Sequence, residues 1–369
     1  MKSSLEDRGG GVRRTAAPTR DITQETAVPR APSSRLTRRS LVTGAAAAIA
    51  LPRLAAAQEK VTLRLASFMP PAGFLNTAIV IPFLDKVVAD SKGTLEYKFF
   101  PGGTLGRAPA EQLKLVQDGV ADIAIVIPSY TPGAFESYDV TQLPGVAGST
   151  KAASVGVWRA FEAGLLPVPD KVKVLGLVTT ASNVLHTKKP TPTIAGLAGQ
   201  KVRAAGALQM GALEKLGGTA VGNIRGPEIA EALSRNLLDG VLMDWIGIKE
   251  FRVDRSTPHH IDTDFGRLAT MLPMNAAKYA SLPEPAKAAF VRHGGLAYAE
   301  FGGKAFDDAV VEYRSSYLRE GGHTAGTFPA ADQARIKAAF DALVTEWVKA
   351  GPGRDKILEV FRKAAGEVR

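Results

Sequence analysis

The chain has 369 residues, 45% of them hydrophobic, which is enough for large cores and, at roughly 150 residues per domain, for two domains. It contains no cysteine, which excludes disulfides, thiolate metal sites, cysteine nucleophiles and a cysteine-borne lipid anchor. The net charge of +10 is concentrated in residues 1–57, where ten Lys/Arg face four Asp/Glu; no basic run with interleaved aromatics follows, so nucleic-acid binding is excluded.

Those first 57 residues read as an address. Met1 to Arg35 is rich in Pro, Ser, Thr and Arg and is expected to be unstructured. Thr37-Arg38-Arg39-Ser40-Leu41-Val42 then precedes an alanine-rich apolar run, which ends at Ala55-Ala56-Ala57. A basic region, a short apolar region and an A-x-A site make a secretory signal. The pair Arg38 and Arg39, followed by a weakly hydrophobic run, fits the twin-arginine route. Cleavage is expected after Ala57, leaving a soluble mature protein that begins near Gln58. No later segment has about 18 uncharged apolar residues.

Along the mature chain, strands are expected at 61–67, 94–100, 121–127, 172–179, 201–204, 220–222 and 238–243. Helices are expected at 78–91, 111–118, 152–163, 209–216 and 227–235, the last with Pro227 in its first turn. Alternating strands and helices argue for βαβ units. Beyond Leu282 the pattern is mainly helical: 284–293, 296–320, 331–350 and 355–365. Two α/β lobes with a cleft between them, and a ligand at the carboxyl ends of strands, are the expected architecture.

Catalytic and metal motifs are weak. Pro101-Gly102-Gly103-Thr104-Leu105-Gly106 lacks the Gly-Lys-Ser/Thr ending of a phosphate loop. His259 and His260 are adjacent and so point in different directions, which is poor metal geometry; His186, His293 and His323 are scattered. There is no Gly-x-Ser-x-Gly elbow. Neither a metal nor another cofactor is expected.

Arg203 stands in a short apolar strand, Lys201-Val202-Arg203, with no acid near it in sequence. Arginine is seldom buried without a partner, so either a distant acid or a ligand must supply one. The stretch from His186 to Trp245 answers that. Lys189-Pro190 leads to Leu197, Gly199 and Lys201-Val202-Arg203; Leu216-Gly217-Gly218, Glu228, Ala232-Leu233 and Asp239-Gly240 follow. Upstream lie Phe100 to Gly106 and Val116-Gln117-Asp118-Gly119-Val120-Ala121-Asp122; downstream lie Met274-Asn275 and Leu282-Pro283. In order and spacing these resemble the substrate-binding proteins of tripartite ATP-independent periplasmic (TRAP) transporters, over roughly residues 60 to 365.

The resemblance implies a type II-like periplasmic binding protein fold: two α/β lobes with a hinge, a long lobe-spanning helix and a helical C-terminal part. Residues 58–181 and 269–308 would form lobe I, and 182–268 and 309–369 lobe II. It implies capture of a small organic acid between the lobes, hinge closure, and delivery to the membrane subunits of the transporter. The protein would be a periplasmic monomer with no enzymatic activity. The strand arginine of the family's K-[IV]-R motif pairs with the substrate carboxylate, and here that residue is Arg203. Guanidinium meets carboxylate through two parallel hydrogen bonds, which orients as well as binds.

The departures from the family pattern bear on ligand class. Sialic-acid-binding members carry a second arginine where Asn183 or a neighbour stands, and Gln-Glu-Asn where Val241-Leu242-Met243 stand, so a polyhydroxylated sugar acid does not fit. Trp245 is expected either to wall the cleft and stack on the ligand or to sit in the core behind the strand. Asp244 is expected to bond a hydroxyl or an arginine. Arg225 is either a second cation for a diacid or a solvated loop residue. Phe68, Met69 and Phe74 in the first strand-to-helix loop, and Ser129, Tyr130 and Thr131 after the third strand, are placed at the cleft. Phe68, Tyr130 and Trp245 together point to a carboxylate with an apolar or aromatic body. The rivals are a twin-arginine-exported enzyme, against which the missing cofactor motifs argue, and a binding protein serving an ABC transporter or a sensor.

Overall fold

The structure is a computed structural model that describes residues 60–131 and 133–368. The proposed signal segment, with Arg38, Arg39, Ala55 and Ala57, lies outside the described residues.

In chain order the strands are β1 (Val61–Ala66), β2 (Leu95–Phe100), β3 (Ile123–Ala124), β4 (Val172–Thr179), β5 (Val184–Thr187), β6 (Lys201–Arg203), β7 (Thr219–Val221), β8 (Gly240–Met243), β9 (His259–Ile261), β10 (Ala269–Asn275) and β11 (Thr324–Gly326). They form two sheets, ordered β2-β1-β3-β10-β4 and β11-β9-β5-β8-β6-β7. The longer helices are α1 (Ile81–Asp90), α2 (Gln112–Gln117), α3 (Thr150–Glu162), α4 (Ala207–Lys215), α5 (Ile229–Ser234), α6 (Trp245–Glu250), α7 (Ala276–Ala280), α8 (Glu284–His293), α9 (Leu296–Glu320), α10 (Ala330–Lys349) and α11 (Arg354–Gly366).

The alternation in Val61–Ala66 does what its pattern dictates. Leu63 and Leu65 are fully buried in a core with Ile79, Phe83, Leu84 and Phe290, while Arg64 reaches outward to an ion pair with Asp122. The second sheet has its own cores, one around Leu185, Val202, Leu213 and Leu242 and one around Val241, Trp245, Ile248 and Tyr317. α9 contributes to both halves: Tyr298 and Phe306 pack with the first sheet, and Tyr317 packs with Trp245.

Both sheets are mixed rather than parallel. β10 runs antiparallel to β3 and β4, and β5 runs antiparallel to β8 and β9. β10 carries Pro273, which has no N–H to donate, and its register with β4 shifts between Leu272 and Pro273. The expected strand at 121–127 shrinks to Ile123–Ala124, with Val126 bridging Met271, because the chain leaves β1 to follow β10 and then turns at Pro128. The helix expected from residue 78 begins earlier, with a π-helical turn at Leu75–Val80 that continues into α1. Such turns are frequent at functional sites.

Two antiparallel segments pass between the sheets. Thr180 N–H donates to Leu268 O (2.8 Å), Asn183 N–H to Gly266 O (2.8 Å) and Phe265 N–H to Asn183 O (2.9 Å). α11 packs on α3, where Phe361 lies directly over Gly156, so the C-terminal helix joins the first sheet's core although its sequence position follows the second sheet.

Candidate functional site

A cavity opens where strands of both sheets end. Phe68 and Met69 follow β1, and Ile127 and Tyr130 follow β3; Thr180 follows β4, Asn183 precedes β5, Leu242 and Met243 end β8, and Asp244 follows it. Phe74 and Leu75 enter from the π-helical turn, Leu268 from the segment before β10, and Phe306 from α9. The walls are aromatic: Phe68 and Tyr130 meet edge-on with ring centroids 6.3 Å apart, and Phe74 and Phe306 lie 4.9 Å apart. Carboxyl ends of strands are where open α/β sheets bind ligands.

Arg203 lines this cavity at the end of β6 and is only 2% exposed. Its Nε–H donates to Ile224 O at 2.8 Å, which fixes the plane of the guanidinium. Among the described residues no carboxylate lies within ion-pair distance of it. The terminal nitrogens are therefore held beside an apolar cavity with no acid to pair them. A buried charge without a counter-charge is costly.

α6 supplies the opposite chemistry. Met243, Ile246, Gly247, Glu250 and Phe251 recur at helical spacing and all line the cavity. Asp244 caps the helix: its Oδ1 accepts from Ile246 N–H (3.0 Å) and Gly247 N–H (2.8 Å). Burial nonetheless pushes the Asp244 carboxyl up to about 6. Burial pushes Glu250 further, up to about 8, and the neighbouring Asp244 charge adds to it against the N–H of Phe74.

Residues 70–350 match the model of the DctP family, the bacterial extracellular solute-binding proteins of family 7. The chain belongs to that family. Being a DctP protein, it is a solute-binding protein. It is 28% identical to "Outer membrane transporter protein TsaT" of Comamonas testosteroni over 291 residues, which is 77% of this chain and 84% of that protein. Among solved structures, a marine metagenome TRAP solute-binding protein, specific for aromatic acid ligands and complexed with 3-hydroxybenzoate, superposes with a TM-score of 0.78. The two are 29% identical over 84% of this chain and 99% of that one. A Rhodoferax ferrireducens TRAP solute-binding protein with copurified benzoate superposes at 0.77, with 26% identity over 84% and 98%.

Of the residues that the sequence singled out in this DctP chain, the structure brings Arg203, Asn183, Met243, Asp244, Phe68, Met69, Phe74 and Tyr130 to one cavity. Trp245, Arg225, Ser129 and Thr131 do not line it. Trp245 is a core residue: its Nε1–H donates to Asp262 at 3.0 Å, and its ring packs on His186, His260 and Tyr317. It heads α6, and the turn that sends Asp244 and Gly247 to the cavity sends the intervening side chain away. Arg225 is exposed on a 3-10 turn, its backbone N–H held by Glu228. Ser129 sits in the turn that presents Tyr130, but its own hydroxyl is buried outside the cavity with no partner among the described residues. His293 stays apart, paired with Asp90, but His186 and His323 are not scattered: both meet His260. His186 Nδ1 and His260 Nδ1 are 2.6 Å apart, and His260 Nε2 and His323 Nδ1 are 2.9 Å apart, because β5 and β9 pair His186 with His260. No group of acids and histidines among the described residues could hold a metal ion. Glu250, Phe251 and Phe306 were missed. The signal for Glu250 was an acid inside an otherwise apolar helical stripe directly after a good N-cap, Asp244.

Proposed function

We propose that this protein captures an aromatic or otherwise apolar-bodied carboxylate in the cavity and delivers it to the membrane subunits of a TRAP transporter. The observation that carries this reading is Arg203: buried, oriented through Ile224, and unpaired among aromatic walls. The carboxylate supplies the missing charge, and the two-pronged guanidinium fixes its plane. The aromatic walls then take the body by stacking and burial. The benzoate and 3-hydroxybenzoate in the two relatives support the same ligand class.

The division into lobes follows the sheets: 58–181 and 269–308 around the first, 182–268 and 309–369 around the second, with α11 returning to the first. Residues 180–183 and 264–268 are the hinge. A ligand that touches both lobes only in the closed form shifts the population toward it. No chemistry is assigned to the site, which functions by binding alone. Export by the twin-arginine route to the periplasm rests on Arg38, Arg39 and the Ala55 to Ala57 site. Among the described residues no helix is long and apolar enough to cross a membrane.

Fluorescence titration with benzoate, 3-hydroxybenzoate and succinate tests the reading. The aromatic acids bind and succinate does not. Arg203→Ala weakens benzoate binding on the order of 100-fold, the usual cost of removing one partner of a buried charged pair. Tight benzoate binding in Arg203→Ala would sink the assignment of Arg203, and a preference for succinate would sink the aromatic class.

A further inference from the structure

Glu250 ends α6 on the cavity wall, beside Phe74 and Phe251. Its Oε1 is buried with no hydrogen-bond partner among the described residues. The space that Oε1 occupies exists only because residue 73 is glycine, since a Cβ there would collide with it.

We propose that Glu250 is a specificity residue that donates a hydrogen bond to a neutral oxygen substituent on the ligand body, a hydroxyl above all. This rests on the carboxylate-binding reading of Arg203. Burial holds the Glu250 carboxyl protonated at neutral pH, which makes it a donor as well as an acceptor. A buried O–H donor needs an acceptor, and Glu250 Oε1 has no hydrogen-bond partner among the described residues. The acceptor therefore comes from what fills the cavity. A second carboxylate is disfavoured there, because Asp244 and Glu250 stand on the same helix face. Arg203 thus reads the acid, the aromatic walls read the ring, and Glu250 reads the ring's substituent. A site built to bond a hydroxyl discriminates strongly against the analogue that lacks it, because its own polar group is then stranded.

The test is calorimetry at pH 7 with benzoate, 3-hydroxybenzoate, 4-hydroxybenzoate, isophthalate and 3-(aminomethyl)benzoate. The wild type is expected to prefer one hydroxybenzoate over benzoate by at least tenfold. Glu250→Leu is expected to lose the hydroxyl preference, with an unchanged far-UV circular dichroism spectrum reporting an intact fold. Glu250→Gln, which keeps a neutral donor, retains most of it. An unchanged preference in Glu250→Leu overturns the role of Glu250 while leaving the carboxylate reading intact. Tightest binding of 3-(aminomethyl)benzoate overturns it too, since that result requires an ionised Glu250; tightest binding of isophthalate overturns the neutral-substituent class. If neither benzoate nor a hydroxybenzoate binds the wild type, both readings fall together.

Discussion

Arg203 and Glu250 both line the cavity with hydrogen bonding left unfinished among the described residues. Arg203 is 2% exposed and oriented by Ile224 O, whereas Glu250 is partly buried. Asp244 differs, because capping α6 already occupies one of its oxygens. These buried groups predict how stability depends on pH. Glu250 titrates near 4.5 when unfolded and near 8 when folded, and Asp139 near 3.8 and near 7. In that window the folded state binds more protons than the unfolded state, so their contribution is full at low pH and is lost as pH rises through the folded values. His186 works in the opposite direction: burial lowers it from 6.5 to about 3, so the unfolded state takes the proton and stability is lost as pH falls below 6.5. His260 is lowered for the same reason. Above pH 6.5 only the carboxyls act. The ligand-free protein is therefore expected to lose thermal stability steadily from pH 6.5 to 8, and Glu250→Gln to flatten that decline. A melting temperature that rises over this range, or a Glu250→Gln slope equal to wild type, contradicts the burial of these groups.

At the scale of elements, close helix packing depends on two glycines on α3 and α9. A Cβ at residue 156 would stand 2.9 Å from Phe361 O of α11, and one at residue 303 would stand 2.5 Å from the Lys151 Cα. Both collisions are with backbone, so a neighbouring helix must move. Gly156→Val and Gly303→Val are each expected to destabilise by about 1–3 kcal/mol in urea denaturation, the usual cost of overpacking. A change below 0.5 kcal/mol in either would show that the helices are not in contact there. The same scale sets what could be read from sequence. β4, α8 and α9 fall where periodicity places them, because each is long and regular. β10 was unreadable because Pro273 argues against a strand, and only the shifted register beside β4 makes room for it. β5, β9 and α6 have three to six residues, too few for a period to emerge. Phe68, Met69, Tyr130, Asn183, Arg203, Met243 and Asp244 reach the cavity because strand ends face it. Trp245 does not, because α6 starts at that point and turns the side chain inward.

The whole molecule is two sheets joined by a pair of crossing segments and by α9, with the cavity at their strand ends. On the proposed reading, one small ligand touches both halves at once, and contacts made only when the halves meet would favour closure around it. The central claim is that Arg203 completes its pairing with a ligand carboxylate inside this cavity. A crystal structure of the protein grown with benzoate tests it most directly. The prediction is a benzoate whose two carboxylate oxygens lie about 2.8 Å from the Arg203 guanidinium nitrogens, with its ring between the pairs Phe68–Tyr130 and Phe74–Phe306. A benzoate bound away from Arg203, or an Arg203 that swings onto a protein carboxylate instead, would contradict it.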